Sequence, residues 1–171
     1  MKKVILSLVV FATVLVSCKG KEEKKVAVKE AVIVEAVVAE SNVNIATSVV
    51  LWKGFKPTGS HNGTVKLASG MMALVDGALT GEFVIDMNTI TDADGLTKLD
   101  GHLKDADFFD VEKYPTSKFV ITSTEMKEGK MHVTGDLTIK DVTKSITIPA
   151  TVSEVEGVTT FKSETFELNR F

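Results

Sequence analysis

From residue 45 onward, apolar runs alternate with turn residues, and the alternation of apolar and polar positions is clearest late in the chain. Met131, Val133, Leu137 and Ile139 share one side of an extended run, and His132, Thr134, Asp136 and Thr138 share the other. Ile146, Ile148, Ala150 and Val152 oppose Ser145, Thr147 and Thr151 in the same way. A period of two with one apolar side is the signature of an antiparallel strand packed on one face and wetted on the other. Runs rich in Val, Ile, Thr and Phe predict strands over 47–55, 62–75, 78–87, 117–127, 130–140, 144–155 and 158–169. Asp76-Gly77, Glu128-Gly129 and Glu156-Gly157 stand between successive runs and predict tight hairpin turns.

One segment breaks the meander. After the polar stretch "NTITDADG", Leu96, Leu99 and Leu103 recur at three and four residues and predict a helix over 96–106 with one apolar stripe. Gly101 weakens it by about 1 kcal/mol relative to Ala. Pro115 ends any helix and releases the chain into the next strand. The expected fold is all-β, an antiparallel up-and-down barrel of lipocalin-like shape with one short helical insertion.

The first residues follow a different pattern. Lys2 and Lys3 precede an apolar run from Val4 to Val16, too short to span a bilayer and of the length of a signal-peptide core. Leu15-Val16-Ser17-Cys18 resembles the cleavage and acylation box of bacterial lipoproteins. Cys18 is the chain's single cysteine, so no intramolecular disulfide and no cysteine-rich metal site can form. The expected organisation is a lipoprotein signal peptide over 1–17, a lipidated Cys18 with a flexible tether to 44, and a body over 45–171. The tether, "KGKEEKKVAVKEAVIVEAVVAESNVN", is built from Lys, Glu, Ala and Val without a clean apolar face. Two or more acyl chains would hold the protein stably on a membrane. Lys19 after the cysteine favours the outer membrane, facing the periplasm, with surface exposure as the alternative. Loss of Lys2 and Lys3 on cleavage takes the formal charge from −3 to −5. No basic patch with interleaved aromatics is present, which argues against nucleic acid as a partner.

Chemistry, if there is any, would reside in "HLKDADFFDVEKYPTSKF", where His102 and several carboxylates surround Phe108 and Phe109. The spacing of His102, Asp105 and Asp107 suggests no compact ligand triad, and His61 and His132 fall on separate strands, so no metal is expected. Ser60 and His61 are neighbours on an extended segment and point to opposite faces, which disfavours a hydrolase. The packing reading suits the stretch better: charged side chains stay in water while Phe108 and Phe109 turn inward beside the Leu stripe. Each aromatic ring then buries on the order of 150–250 Å².

"LWKGFKPTGSHNGTV", "LDGHLKDADFFDVEKYPTSKF" and "VTGDLTIKDVTKSITIP" together resemble the YceI-like family in order and approximate spacing, over nearly the whole body. The resemblance implies an exported, non-enzymatic protein that encloses a long isoprenoid-type lipid, such as a polyprenyl quinone, with no other cofactor. It also implies that a further connection and strand would follow "FELNRF". Seven strands would not close where an eight-stranded barrel is expected, so an open seam with two unpaired edges is anticipated, and with it dimers or aggregates. Cavity and mouth candidates are Trp52, His61, Phe83, Ile85, Met87, Leu99, His102, Leu103, Phe108, Phe109, Phe119 and Ile121. The competing readings are an envelope interaction module with a filled barrel and, behind it, a metal-assisted hydrolase.

Overall fold

The computed structural model describes residues 42–57 and 59–168. The leader over 1–17, Cys18 and the tether up to residue 41 lie outside the described residues, as do 169–171. Among the described residues no helix is long and apolar enough to cross a membrane.

Seven strands and one helix succeed one another: β1 (Val49–Lys56), β2 (Gly59–Val75), β3 (Ala78–Asp92), α1 (Thr97–Lys104), β4 (Thr116–Lys127), β5 (Lys130–Ile139), β6 (Val142–Val155) and β7 (Val158–Ser163). They form one sheet in chain order, each strand antiparallel to the next. The sheet curls into a half-barrel. Three strands separate β3 from β7 in the sheet, yet the Phe83 and Phe161 rings stack 5.9 Å apart at an interplanar angle of 17°. Such a contact is possible only where the two strands face each other across the interior. Among the described residues β1 and β7 are the edges, and no pairing joins them.

The turns follow from the residues placed at them. Asp76-Gly77, Glu128-Gly129 and Glu156-Gly157 carry positive φ at both central residues, near 50° and then near 80°, the backbone of two-residue hairpins. The β5–β6 connection is tighter than the sequence suggests. Strands expected over 130–140 and 144–155 are joined by Lys140-Asp141 alone, with Lys140 at φ 57°.

Other boundaries also differ from the sequence expectation: β2 starts at Gly59 rather than 62, and α1 spans Thr97–Lys104 rather than 96–106. β1 starts at Val49 rather than 47, because Asn44 accepts N–H bonds from Ala46, Thr47 and Ser48 and holds a turn there. Upstream of that turn, the Asn42 side chain bonds both the N–H and the C=O of Met72 on β2. β3 runs past Met87 to Asp92, through the polar stretch read as a loop. A bulge makes this possible: β2 advances from Thr64 to Lys66 while β3 advances from Asp86 to Thr91. Inside the bulge, Thr89 Oγ1 accepts the Lys66 N–H at 2.8 Å and the Asp86 carboxylate accepts the Asn88 N–H at 3.0 Å, so side chains replace the missing ladder bonds. β7 ends at Ser163, short of 169, and beyond it the Glu164 N–H still reaches β6, at the Pro149 carbonyl.

The inward side chains gather in two apolar clusters. One joins Leu79, Phe119, Met131, Val133, Leu137, Ile148 and Ala150, with Met72, Leu74, Phe83, Ile121 and Phe161 packed on it. The other joins Val65, Met87, Ile90, Leu103 and Val111, with Trp52, Ile85, Leu99, Phe108 and Phe109 packed on it. They succeed each other along β2 and β3, the second at the end where α1 emerges. On β5, buried Met131, Val133, Gly135 and Leu137 alternate with half-buried His132, Thr134, Asp136 and Thr138. Thr134–Thr147 and Thr138–Thr143 hydroxyl pairs at 2.8 Å tie β5 to β6 on that second face.

Candidate functional site

The end of the half-barrel that carries α1 is built around Asp92. Its backbone N–H donates to Asp100 Oδ1 on the helix at 2.6 Å, and its own Oδ1 accepts the N–H groups of Asp94 and Leu96. One aspartate thus ends β3 and starts α1. The Asp92 side chain is fully buried, and its second oxygen has no hydrogen-bond partner but stands 3.7 Å from His61 Nδ1 on β2.

Beyond α1 the chain folds back over the helix terminus. Phe109, Asp110 and Val111 donate their N–H groups to the carbonyls of Leu103, Asp105 and Lys104. Those carbonyls have no partner further along the helix, so the return loop satisfies them. The same reversal turns Phe108, Phe109 and Val111 onto the second cluster while Asp105 and Asp107 remain in water. His102 packs edge-on against Phe108 at 5.9 Å, and Phe108 against Phe109 at 4.8 Å. Tyr114, next to Pro115, donates its hydroxyl to Asp141 in the β5–β6 turn. Tyr114 also holds the fully exposed Lys113 ammonium above the usual lysine range, first through a side-chain hydrogen bond.

Trp52 spans three strands. Its indole lies over Gly63, where a Cβ would meet ring atoms at 2.8 Å, and its Nε1 donates to the Thr91 carbonyl at 3.2 Å. Gly135 plays the same part for Phe119, whose ring lies 2.5 Å from where a Cβ would stand. Both glycines leave room for an aromatic ring on a neighbouring strand.

The sequence-derived residues divide between the two clusters. Phe83, Phe119 and Ile121 belong to the first, and Trp52, Ile85, Met87, Leu99, Leu103, Phe108 and Phe109 to the second. Met87, Leu103 and Phe119 are buried; the other apolar members are half-buried. His61 and His102 both line one solvent-open depression of about 410 Å³, together with Lys56, Leu96, Lys98 and Leu99.

One expectation is corrected. His102, Asp105 and Asp107 do form a compact group, their ligand atoms all within 4.8 Å of one another. The turn after α1 closes a spacing that looks open on a linear chain, and brings His102 Nδ1 to 4.0 Å from Asp105 and 3.9 Å from Asp107. All three are exposed, with half or more of each side chain in solvent. Lys56, Lys98 and Asp92 escaped the sequence reading. For Asp92 a signal existed: in "TDADG" an aspartate two residues before another N–H donor is the pattern of an Asx-turn.

The profile of the YceI-like domain matches residues 35–171, most of the chain. The chain belongs to the YceI-like family. It is 44% identical over 68 residues to a UPF0312 protein of Pseudomonas putida F1, covering 39% of this chain and 35% of that protein. Protein YceI of Escherichia coli O6:H1 is 38% identical over 66 residues, again 39% and 35% of the two chains. The matched stretch thus spans about a third of those relatives' length. The solved YCEI protein of Campylobacter jejuni is 25% identical, with a TM-score of 0.50 over 68% of this chain and 70% of that one. In this YceI-like chain, two of the three motifs quoted above converge on one end: "LWKGFKPTGSHNGTV" supplies Trp52, Lys56 and His61, and "LDGHLKDADFFDVEKYPTSKF" supplies the insertion. The third forms the wall of β5 and β6.

Proposed function

We propose that this YceI-like protein binds a long-chain isoprenoid-type lipid, a polyprenyl quinone or similar amphiphile, within its curled sheet, and sequesters or carries it without catalysis. Lipidated Cys18 tethers it to the envelope, at the outer membrane and facing the periplasm. It needs no cofactor beyond the guest.

The observation that carries this reading is the inner face itself. Its apolar side chains run through both clusters, and many stay half-buried although they face inward, among them Met72, Phe83, Ile121 and Leu99. Side chains that are packed but still partly wet are available to a hydrocarbon chain. Burying about ten methylene-sized units contributes about 8 kcal/mol, at about 0.8 kcal/mol each. Association and ordering of the guest offset several kcal/mol of this. Micromolar binding therefore requires no particular polar contact.

The test is denaturing extraction and mass spectrometry of the full-length protein purified from its native host. A prenyl lipid recovered in near-stoichiometric amount is expected. Repeated recovery of lipid-free protein defeats the carrier reading. One observation favours the second reading, an interaction module: Val49, Leu51 and Phe55 are exposed along the edge strand β1. That reading expects concentration-dependent association by light scattering and no lipid.

A further inference from the structure

We propose that the outer face of β1 docks on the surface of an anionic phospholipid bilayer. This docking stands apart from the cargo, since it uses the outside of the sheet and a guest would take the inside.

Trp52 and Val65 pack in the second apolar cluster, so the residues that alternate with them point outward. On β1 these are Val49, Leu51, Lys53 and Phe55. Their partners across the ladder are Lys66, Thr64, Asn62 and Ser60, with no shift of register between the two strands. Leu51 and Phe55 are each 75% exposed, and Val49 is 51% exposed. The outward rows of β5 and β6 are different, with His132, Thr134, Asp136 and Thr138 on one and Ser145, Thr147 and Thr151 on the other. The apolar outward row thus belongs to β1 and is not shared by those two strands.

Charge selects the occupant. Between Glu40 and Asp76 the chain has three lysines and no acidic residue, although 23 of its 171 residues are Asp or Glu. Two of those lysines, Lys53 and Lys66, stand in the outward rows. Lys53 Nζ lies 5.0 Å over the Phe55 ring, so cation and aromatic sit side by side. Asp86 on β3 is opposite Lys66, but its carboxylate accepts bonds from the backbone and side-chain nitrogens of Asn88. Among the described residues neither Lys53 nor Lys66 is in an ion pair. An apolar row flanked by lysines suits the boundary between anionic headgroups and acyl chains. There the apolar side chains sink in while the ammonium groups stay with the phosphates. Each lysine close to such a surface favours binding by roughly fivefold. A protein partner fits less well. Even aromatic side chains bury at most about 250 Å² each, so three apolar side chains fall short of the roughly 800 Å² that each side of a stable complex covers.

The point of attachment agrees. Asn42 bonds Met72 through its side chain and Gly70 through its backbone, so the N-terminal segment joins the body on β2, past the Val49 end of the row. A protein tethered through Cys18, as proposed above, is held from this part of the sheet.

The test places the full chain carrying Cys18→Ser on vesicles of phosphatidylcholine and phosphatidylglycerol in equal parts, with a nitroxide on some of the headgroups. One introduced cysteine carries a fluorophore that the nitroxide quenches on contact. Whatever the N-terminal segment contributes is common to every variant. Quenching is expected at Ser60→Cys, opposite Phe55, and is expected to be absent at Ser145→Cys on the outward row of β6. Adding L51S/F55S, at two side chains already mostly in water, is expected to leave the melting temperature unchanged and abolish the quenching. K53Q/K66Q, and separately vesicles of phosphatidylcholine alone, are expected to remove most of it. Equal quenching at both positions, or quenching at Ser60→Cys that survives L51S/F55S, overturns the docking face. Quenching undiminished by K53Q/K66Q and on neutral vesicles overturns the anionic surface. Concentration-dependent association without vesicles, abolished by L51S/F55S, assigns the row to a contact between copies and overturns the bilayer. Each of these failures leaves the lipid-carrier reading standing, because no guest is present.

Discussion

At the scale of single residues, the structure turns on a few positions where a side chain is missing or unpartnered. Gly135 leaves the space that the Phe119 ring fills. A methyl group there overlaps both the ring and the Val120 carbonyl, so Gly135→Ala is expected to cost about 1–3 kcal/mol by urea denaturation. The cost should shrink in a Phe119→Ala background, and this non-additivity separates ring overlap from a general backbone effect. Ser117 gives the opposite case. Its hydroxyl is buried without a hydrogen-bond partner on the inward face of β4. Ser117→Ala therefore removes an uncompensated polar group, and the expected result is unchanged stability or a gain of up to about 1 kcal/mol. A loss above that range would mean that the hydroxyl is satisfied in solution. None of these features can be read from composition, because each depends on which residue lies across the sheet from it.

At the scale of elements, legibility followed the strength of local chemistry. The three X-Gly turns and the period-two faces of β5 and β6 were legible because backbone preference and burial agree there. The helix was legible from Leu99 and Leu103, although Leu96 stands outside it and half-exposed at the mouth. The far part of β3 was not legible: Asn88, Thr89 and Thr91 read as loop, and long-range partners keep them extended, Lys66 bonding Thr89 and Thr64 pairing with Thr91. The Lys140-Asp141 turn was hidden for a similar reason. Lysine is a poor choice for φ 57°, a conformation that costs an ordinary residue roughly 1–2 kcal/mol, and the strong flanking strands impose it. Lys140→Gly should raise stability by about 0.5–1 kcal/mol in thermal or chemical unfolding, with no change in sheet register by amide exchange. In the candidate site, the aromatic and leucine members could be read from the sequence, whereas the approach of His61 to Asp92 depended on the β2–β3 register past a bulge, and that of His102 to Asp105 and Asp107 on the fold-back after α1, neither of which linear spacing encodes.

At the scale of the whole molecule, the half-barrel has two unlike ends. One is wrapped by the insertion and carries an open depression beside Leu99, and the other is filled by the cluster around Val133. The stacked Phe83 and Phe161 rings stand between β3 and β7, where the two walls meet. If a prenyl tail enters beside Leu99, this pair acts as a ruler. Affinity should climb with each added isoprene unit until the tail reaches the rings, and then level off. Titration of a series of prenyl alcohols of increasing length, read by Trp52 emission, checks this. Phe161→Ala should move the plateau to longer chains, whereas a plateau at the same length in that variant would show that the rings do not set it. A pair of aromatic rings, counted above only as proof that the sheet is curved, would then determine which tenants the protein accepts by how far they reach.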